Sequence, residues 1–177
     1  MASTLPEWSV DHWFSTPKPI SLFDLRGKVV VIEAFQMLCP GCVAHGLPLV
    51  QQVYDLFPSD EVAVIGLHTV FEHHAAMNPV SLKAFLHEYR ITFPVGVDTP
   101  GKTAMPVTME RYRLRGTPSL LLVDPDGTLA AHYFGQVTPL KLGADIEALA
   151  CGAHSRRGAS QPMDAGTGNC TPDGCIP

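Results

Sequence analysis

The chain has 177 residues, of which 46% are apolar and 16% charged, with a net charge of -5, so it can bury a full core and fits one domain with extra segments. It lacks a basic run; the pair Arg156-Arg157 is too short for a nucleic-acid surface, and no apolar stretch approaches the roughly 18–20 residues of a membrane span. Residues Met1 to Trp8 show no basic segment followed by an apolar one, so the expected location is cytoplasmic, or periplasmic if an export signal has been removed.

Along the chain, Val29–Phe35 is an unbroken apolar and β-branched run, apart from Glu33, and predicts a buried strand. A helix is expected from Cys39 to about Phe57, with Leu47, Val50, Val53, Tyr54 and Phe57 at helical spacing and a bend at Pro48. Val62–His68 predicts a second buried strand, Pro79–Tyr89 a helix, and Phe93–Val97 a short strand. Thr108 is expected to cap a short helix ending at Leu114. Leu120–Val123 and Leu129–Phe134, joined by Asp124-Pro125-Asp126-Gly127, read as a hairpin, since Asp-Gly is a strong turn signal. A last helix should run from Pro139 to about Cys151. Residues 152–177 are rich in Gly, Ser, Pro and Asp and read as a flexible C-terminal tail, which leaves a domain over 1–151. Alternating strands and helices with a terminal hairpin predict an α/β fold, a mixed central sheet covered by helices on both faces.

Five cysteines are too few for a disulfide scaffold in a chain this long. Cys39 and Cys42 enclose Pro40-Gly41 where a strand hands over to a helix. Such a pair can close into a disulfide, share a metal or lie inert. A cysteine at a helix N-terminus meets unpaired N–H groups and the positive end of the helix dipole, which favour the thiolate nucleophile. Pro40 suits the first helical position, and Cys42, one turn in, is placed to resolve a mixed disulfide on Cys39. Zinc would need two more ligands, and neither a second C-x-x-C nor H-x-x-x-H exists in the chain. Glu33, an acid inside the apolar strand, is a candidate for burial with a raised pKa. Arg115-Gly116-Thr117-Pro118-Ser119 precedes a strand, where a cis proline would set backbone groups opposite the thiols.

Together these features resemble the thioredoxin-like superfamily, and within it the TlpA/ResA-like thiol–disulfide oxidoreductases related to the AhpC/TSA redoxins. The resemblance covers about residues 20–150, with residues 71–105 similar to a helix-containing insertion of those branches. It implies a thioredoxin fold and a redox pair with Cys39 as exposed nucleophile. It also implies a cis-proline at Pro118, with Thr117, beside which a substrate docks in extended form, a helix kink at Pro48, and Glu33 as proton relay to Cys42. The expected activity is disulfide exchange with a disulfide- or dithiol-bearing protein or small thiol, without metal or organic cofactor. Three features depart from the pattern: Leu38 where tryptophan is usual, Pro40-Gly41 instead of Gly-Pro, and Glu33 instead of aspartate.

Two rivals share the fold. A thiol-dependent peroxidase of the peroxiredoxin kind would carry threonine three residues before its cysteine, where this chain has Gln36. A Sco-like copper-binding chaperone would use C-x-x-x-C, one residue longer than here, with a distant histidine such as His132. His68, at the end of its strand, is a candidate neighbour of the site, and His45 is expected at the surface. Cys170 and Cys175 flank a turn-forming Pro-Asp-Gly and form a possible auxiliary redox pair. Cys151 is expected to be packed or unpaired.

Overall fold

The computed structural model describes residues 4–158. Its strands are β1 (Val10–Phe14), β2 (Val29–Phe35), β3 (Val62–His68), β4 (Val95–Asp98), β5 (Ser119–Val123) and β6 (Leu129–Phe134). The helices are α1 (Leu47–Leu56), α2 (Pro79–Glu88), α3 (Val107–Arg111) and α4 (Pro139–Gly158). The strands make one sheet in the order β1-β4-β3-β2-β5-β6. β2, β3 and β4 run parallel, while β5 is antiparallel to β2, β6 to β5 and β1 to β4. This is the mixed sheet expected from the sequence. The helix expected within residues 71–105 is α2, the crossover that a parallel β3–β4 pair requires.

β2 is central, and all seven of its residues are buried. Period-two alternation sorts them between two cores. Val29, Val31 and Phe35 face Leu47, Val50 and Val53 of α1, Leu82 and Leu86 of α2, and Leu142 and Ile146 of α4. Val30, Ile32 and Ala34 face Met109 of α3 and Trp8 and Leu22 of the N-terminal segment. A strand buried on both faces must read as a continuous apolar run. Glu33 shares the parity of Val31 and Phe35, so its carboxylate is carried toward the α1 side.

Four details differ from expectation. β1, which the sequence did not mark, is an edge strand whose register shifts between Val10 and His12, so no clean alternation was there to read. Thr108 is not the cap of α3; Pro106 holds that place. The Thr108 hydroxyl instead accepts the Ser9 N–H at 2.8 Å, and the buried Asp98 carboxylate takes the N–H groups of Thr108 and Met109 at 2.8 and 2.9 Å. α4 continues past Cys151 to Gly158, further than the glycines and serine of residues 152–158 led one to expect. The segment before α1 is a wide π turn, Cys42–Gly46, in which the Leu47 N–H reaches Cys42 O. Pro48 has no N–H to give and crowds the carbonyl four residues back, and a π turn relieves that conflict. The expected disturbance of this helix by Pro48 is thus seen as a change of winding.

Candidate active site

Strand β2 ends at Phe35, and the chain turns through Gln36-Met37-Leu38 so that the Cys39 N–H reaches Gln36 O at 3.1 Å. Helical structure begins at Pro40, as the sequence led one to expect. Cys39 is partly exposed and Cys42 is buried, and both are free thiols. The Cys42 N–H donates to Cys39 Sγ at 3.4 Å, and Cys39 Sγ–H lies 3.5 Å from Thr117 O. The reachable sulfur thus has an N–H donor from the helix start, the arrangement that supports negative charge on a leaving or attacking thiolate. Burial pushes the Cys42 thiol well above the ordinary cysteine range, and its hydrogen bond with Cys39 adds to this. The buried thiol therefore stays protonated until a base takes its proton.

Thr117–Pro118 is a cis peptide bond. Pro118 packs against the helix start so closely that a Cβ on Gly41 would fall 3.2 Å from its Cδ. A side chain at residue 41 would therefore press on Pro118 and shift it by a few tenths of an ångström. Leu38, beside Cys39, is 55% exposed and presents an apolar side chain where the resemblance would have placed tryptophan.

Glu33 is 1% exposed, flanked by Gly66 on β3 and Leu120 on β5. Its Oε1 has no hydrogen-bond partner among the described residues. Burial, and then the charge of Cys39, raise its pKa from 4.5 to about 8. A Cβ on Gly46 would collide with Glu33 Oε1, so a glycine in the π turn leaves room for the carboxylate. Nothing in the sequence singled out Gly46, because the need for it arises from a side chain thirteen positions away.

His68 is buried beneath the turn, against the Phe35 ring, with Nε2 accepting the Met37 N–H at 3.4 Å. Burial lowers its pKa to about 4, so it is neutral over the ordinary range. Its neighbourhood follows from the β2–β3 register, which pairs Phe35 with His68. Gln36 is buried; its amide oxygen accepts the Phe71 N–H and its amide nitrogen donates to Glu72, both at 3.4 Å. The side chain at the peroxidase-diagnostic position thus ties down the loop after β3. His132 pairs with Leu121, on the sheet face opposite Glu33 and the cysteines, which removes it as a distant ligand for them. His45 is exposed, as expected, and so is Cys151. Cys170 and Cys175 lie outside the described residues. Thus Cys39, Cys42, Glu33, Thr117 and Pro118, spread over 86 residues of sequence, meet at one end of the sheet.

The sequence model of the AhpC/TSA family matches residues 2–132. Among solved structures, the chain is similar to a protein described as thioredoxin-like, with 65% identity and a TM-score of 0.82 over 83% of this chain and 96% of that one. It is also similar to a thiol-disulfide isomerase from Corynebacterium glutamicum, with 47% identity and a TM-score of 0.80 over 84% of this chain and 96% of that one. The curated protein DipZ of Mycobacterium bovis is 32% identical over 129 residues, 72% of this chain but 18% of DipZ, so the chain spans a small part of that relative's length. ResA, a thiol-disulfide oxidoreductase of Bacillus anthracis, is 26% identical over 71% of this chain and 65% of its own. The sheet order, the helix-start cysteines and these likenesses agree: the fold is that of thioredoxin, and the chain belongs to the AhpC/TSA family.

Proposed function

We propose that the protein is a thiol–disulfide oxidoreductase working through Cys39 and Cys42. The observation that carries this is the pairing of a reachable Cys39 sulfur, held at 3.4 Å by the Cys42 N–H, with a buried Cys42 thiol one turn away. In the reducing direction the Cys39 thiolate attacks a substrate disulfide and releases one substrate thiolate. Glu33 then takes the Cys42 proton. The Cys42 sulfur attacks Cys39 Sγ, the Cys39–substrate bond breaks, and the second substrate thiolate leaves with its electron pair. While Cys39 is tied up in the mixed disulfide it bears no charge, so one of the two causes that raise the Glu33 pKa is lifted and the base is freed when it is needed. The substrate is a disulfide-bearing protein or small disulfide, docked in extended form against Thr117-Pro118 and the exposed Leu38. The relatives named thiol-disulfide oxidoreductase or isomerase support this reading.

The test uses reduced protein in which Cys151, Cys170 and Cys175 are replaced by serine, so that only Cys39 and Cys42 can react, and the coloured aromatic disulfide dithiobisnitrobenzoate. The native pair should release both thiolates. Cys42→Ser should release one and retain a mixed disulfide on Cys39, visible by mass. Cys39→Ser should lose the fast reaction. Turnover of peroxide, or copper retention that depends on Cys39, in a protein inert toward disulfides would replace this reading with one of its rivals. The reduction potential of the couple then sets the direction: roughly -270 mV for a reductant and roughly -120 mV for an oxidant.

A further inference from the structure

Glu33 needs a route by which to lose the proton it takes, and a docked substrate covers the open side of Cys39. A narrow gap of about 10 Å³ reaches Glu33 past Gly46 and Pro118, with His45 and Gln136 among its walls. That is about the volume of one water-sized probe, and Glu33, His45 and Gln136 supply polar groups around it. His45, Gln136, Leu49 and Val137 are also walls of a wider surface groove of about 520 Å³ between α1 and the start of α4. The gap exists because residue 46 is glycine: any side chain there would occupy it and strike Glu33 Oε1. That oxygen is buried and unpartnered among the described residues.

We propose that His45 is the proton outlet of the active site, passing the proton of Glu33 through one water in the Gly46 gap to the groove between α1 and the start of α4. The inference rests on the disulfide-exchange reading above. Among the residues lining the gap, Glu33 and His45 are the two whose side chains can take up and release a proton, and the charge of Cys39 reaches Glu33 from the helix start. The balance is simple. Cys42 S–H gives its proton to the Glu33 carboxylate; its sulfur forms the bond to Cys39 as the substrate thiolate departs. The Glu33 carboxylic acid hands the proton to the gap water, which passes one to the neutral His45 ring, and buffer removes it. The carboxylate is then ready to take the next proton.

The experiment follows, in the same protein with Cys39 and Cys42 as its only thiols, the two thiolate releases from dithiobisnitrobenzoate in single turnover at low buffer concentration and at a pH well below 8, where Glu33 starts protonated and must lose that proton before it can take the one on Cys42. His45→Phe keeps a ring at the mouth of the gap but cannot carry a proton. It should slow the second release by about tenfold or more, less than the roughly 10²–10⁴ lost with a general base acting at the reacting atom. His45→Ala leaves room for a small molecule, and added imidazole should raise its second-release rate well beyond any effect on the native protein. A native-like second release in His45→Phe, or a His45→Ala rate that imidazole does not raise selectively, overturns the outlet. Failure of the native protein to release the second thiolate at all would instead overturn the exchange reading itself.

Discussion

Replacing Glu33 by glutamine keeps its size and removes its ionisation, so the cost of burying the carboxylate can be read as a function of pH. In the unfolded chain this group ionises near the ordinary 4.5, and in the fold near 8. Between those values the folded protein holds a proton that the unfolded chain has released, so raising the pH favours unfolding. The gap of about 3.5 pH units corresponds to about 5 kcal/mol at about 1.4 kcal/mol per unit, lost progressively from pH 4.5 to 8 and constant above. His68 acts with the opposite sign. Its pKa drops from 6.5 to about 4, so the unfolded chain binds the extra proton there, and stability rises with pH across that window by about 3.5 kcal/mol. In the native protein the two slopes offset each other between pH 4.5 and 6.5, and the Glu33 loss stands alone from 6.5 to 8. In Glu33→Gln the His68 rise is unmasked. The assay is urea unfolding of both reduced proteins from pH 4 to 9, taken as a difference so that groups common to both cancel. The difference should grow in favour of the variant from pH 4.5 and level off above 8. A difference that stays flat with pH would refute the buried, proton-holding Glu33.

The second cause of the Glu33 shift gives a related expectation: Cys39→Ser, lacking the thiolate charge, should lower the upper end of that window, measurable by carboxyl infrared titration. Gly46→Ala should destabilise the protein by about 1–3 kcal/mol through its collision with Glu33, and the loss should shrink in a Glu33→Ala background, a coupling that thermal unfolding of the four proteins measures. Gly41→Ala, with its added methyl 3.2 Å from Pro118 Cδ, should slow the first thiolate release more than it lowers stability, because it moves the docking wall against the cysteines. Leu38→Ala should raise KM for a protein disulfide with little change in kcat, since an exposed apolar side chain beside Cys39 contributes contact and not chemistry.

Residue patterns carried the central strands, because a strand buried on both faces leaves a nearly continuous apolar run, broken only by Glu33 in Val29–Phe35 and closed by His68 in Val62–His68. The hairpin was legible through Asp126-Gly127, whose glycine adopts φ +85°. Edge strand β1 was not, because an edge strand with a shifted register needs no regular pattern. The cap of α3 was misassigned to Thr108 because the group that serves it, Asp98, comes from a neighbouring strand and not from the local sequence.

The same division runs through the site. Sequence alone determined that two thiols stand at a helix start, that an acid interrupts a buried strand, and that a Thr-Pro step precedes another, because each is a local signal of spacing or period. Only the tertiary structure decided that Glu33 points to the cysteine side with an unpartnered oxygen, that Gly46 exists to admit it, and that His68 lies under the Met37 turn. Those facts depend on strand parity, parallel register and the winding of a π turn, which bring together residues whose local sequences carry no trace of one another.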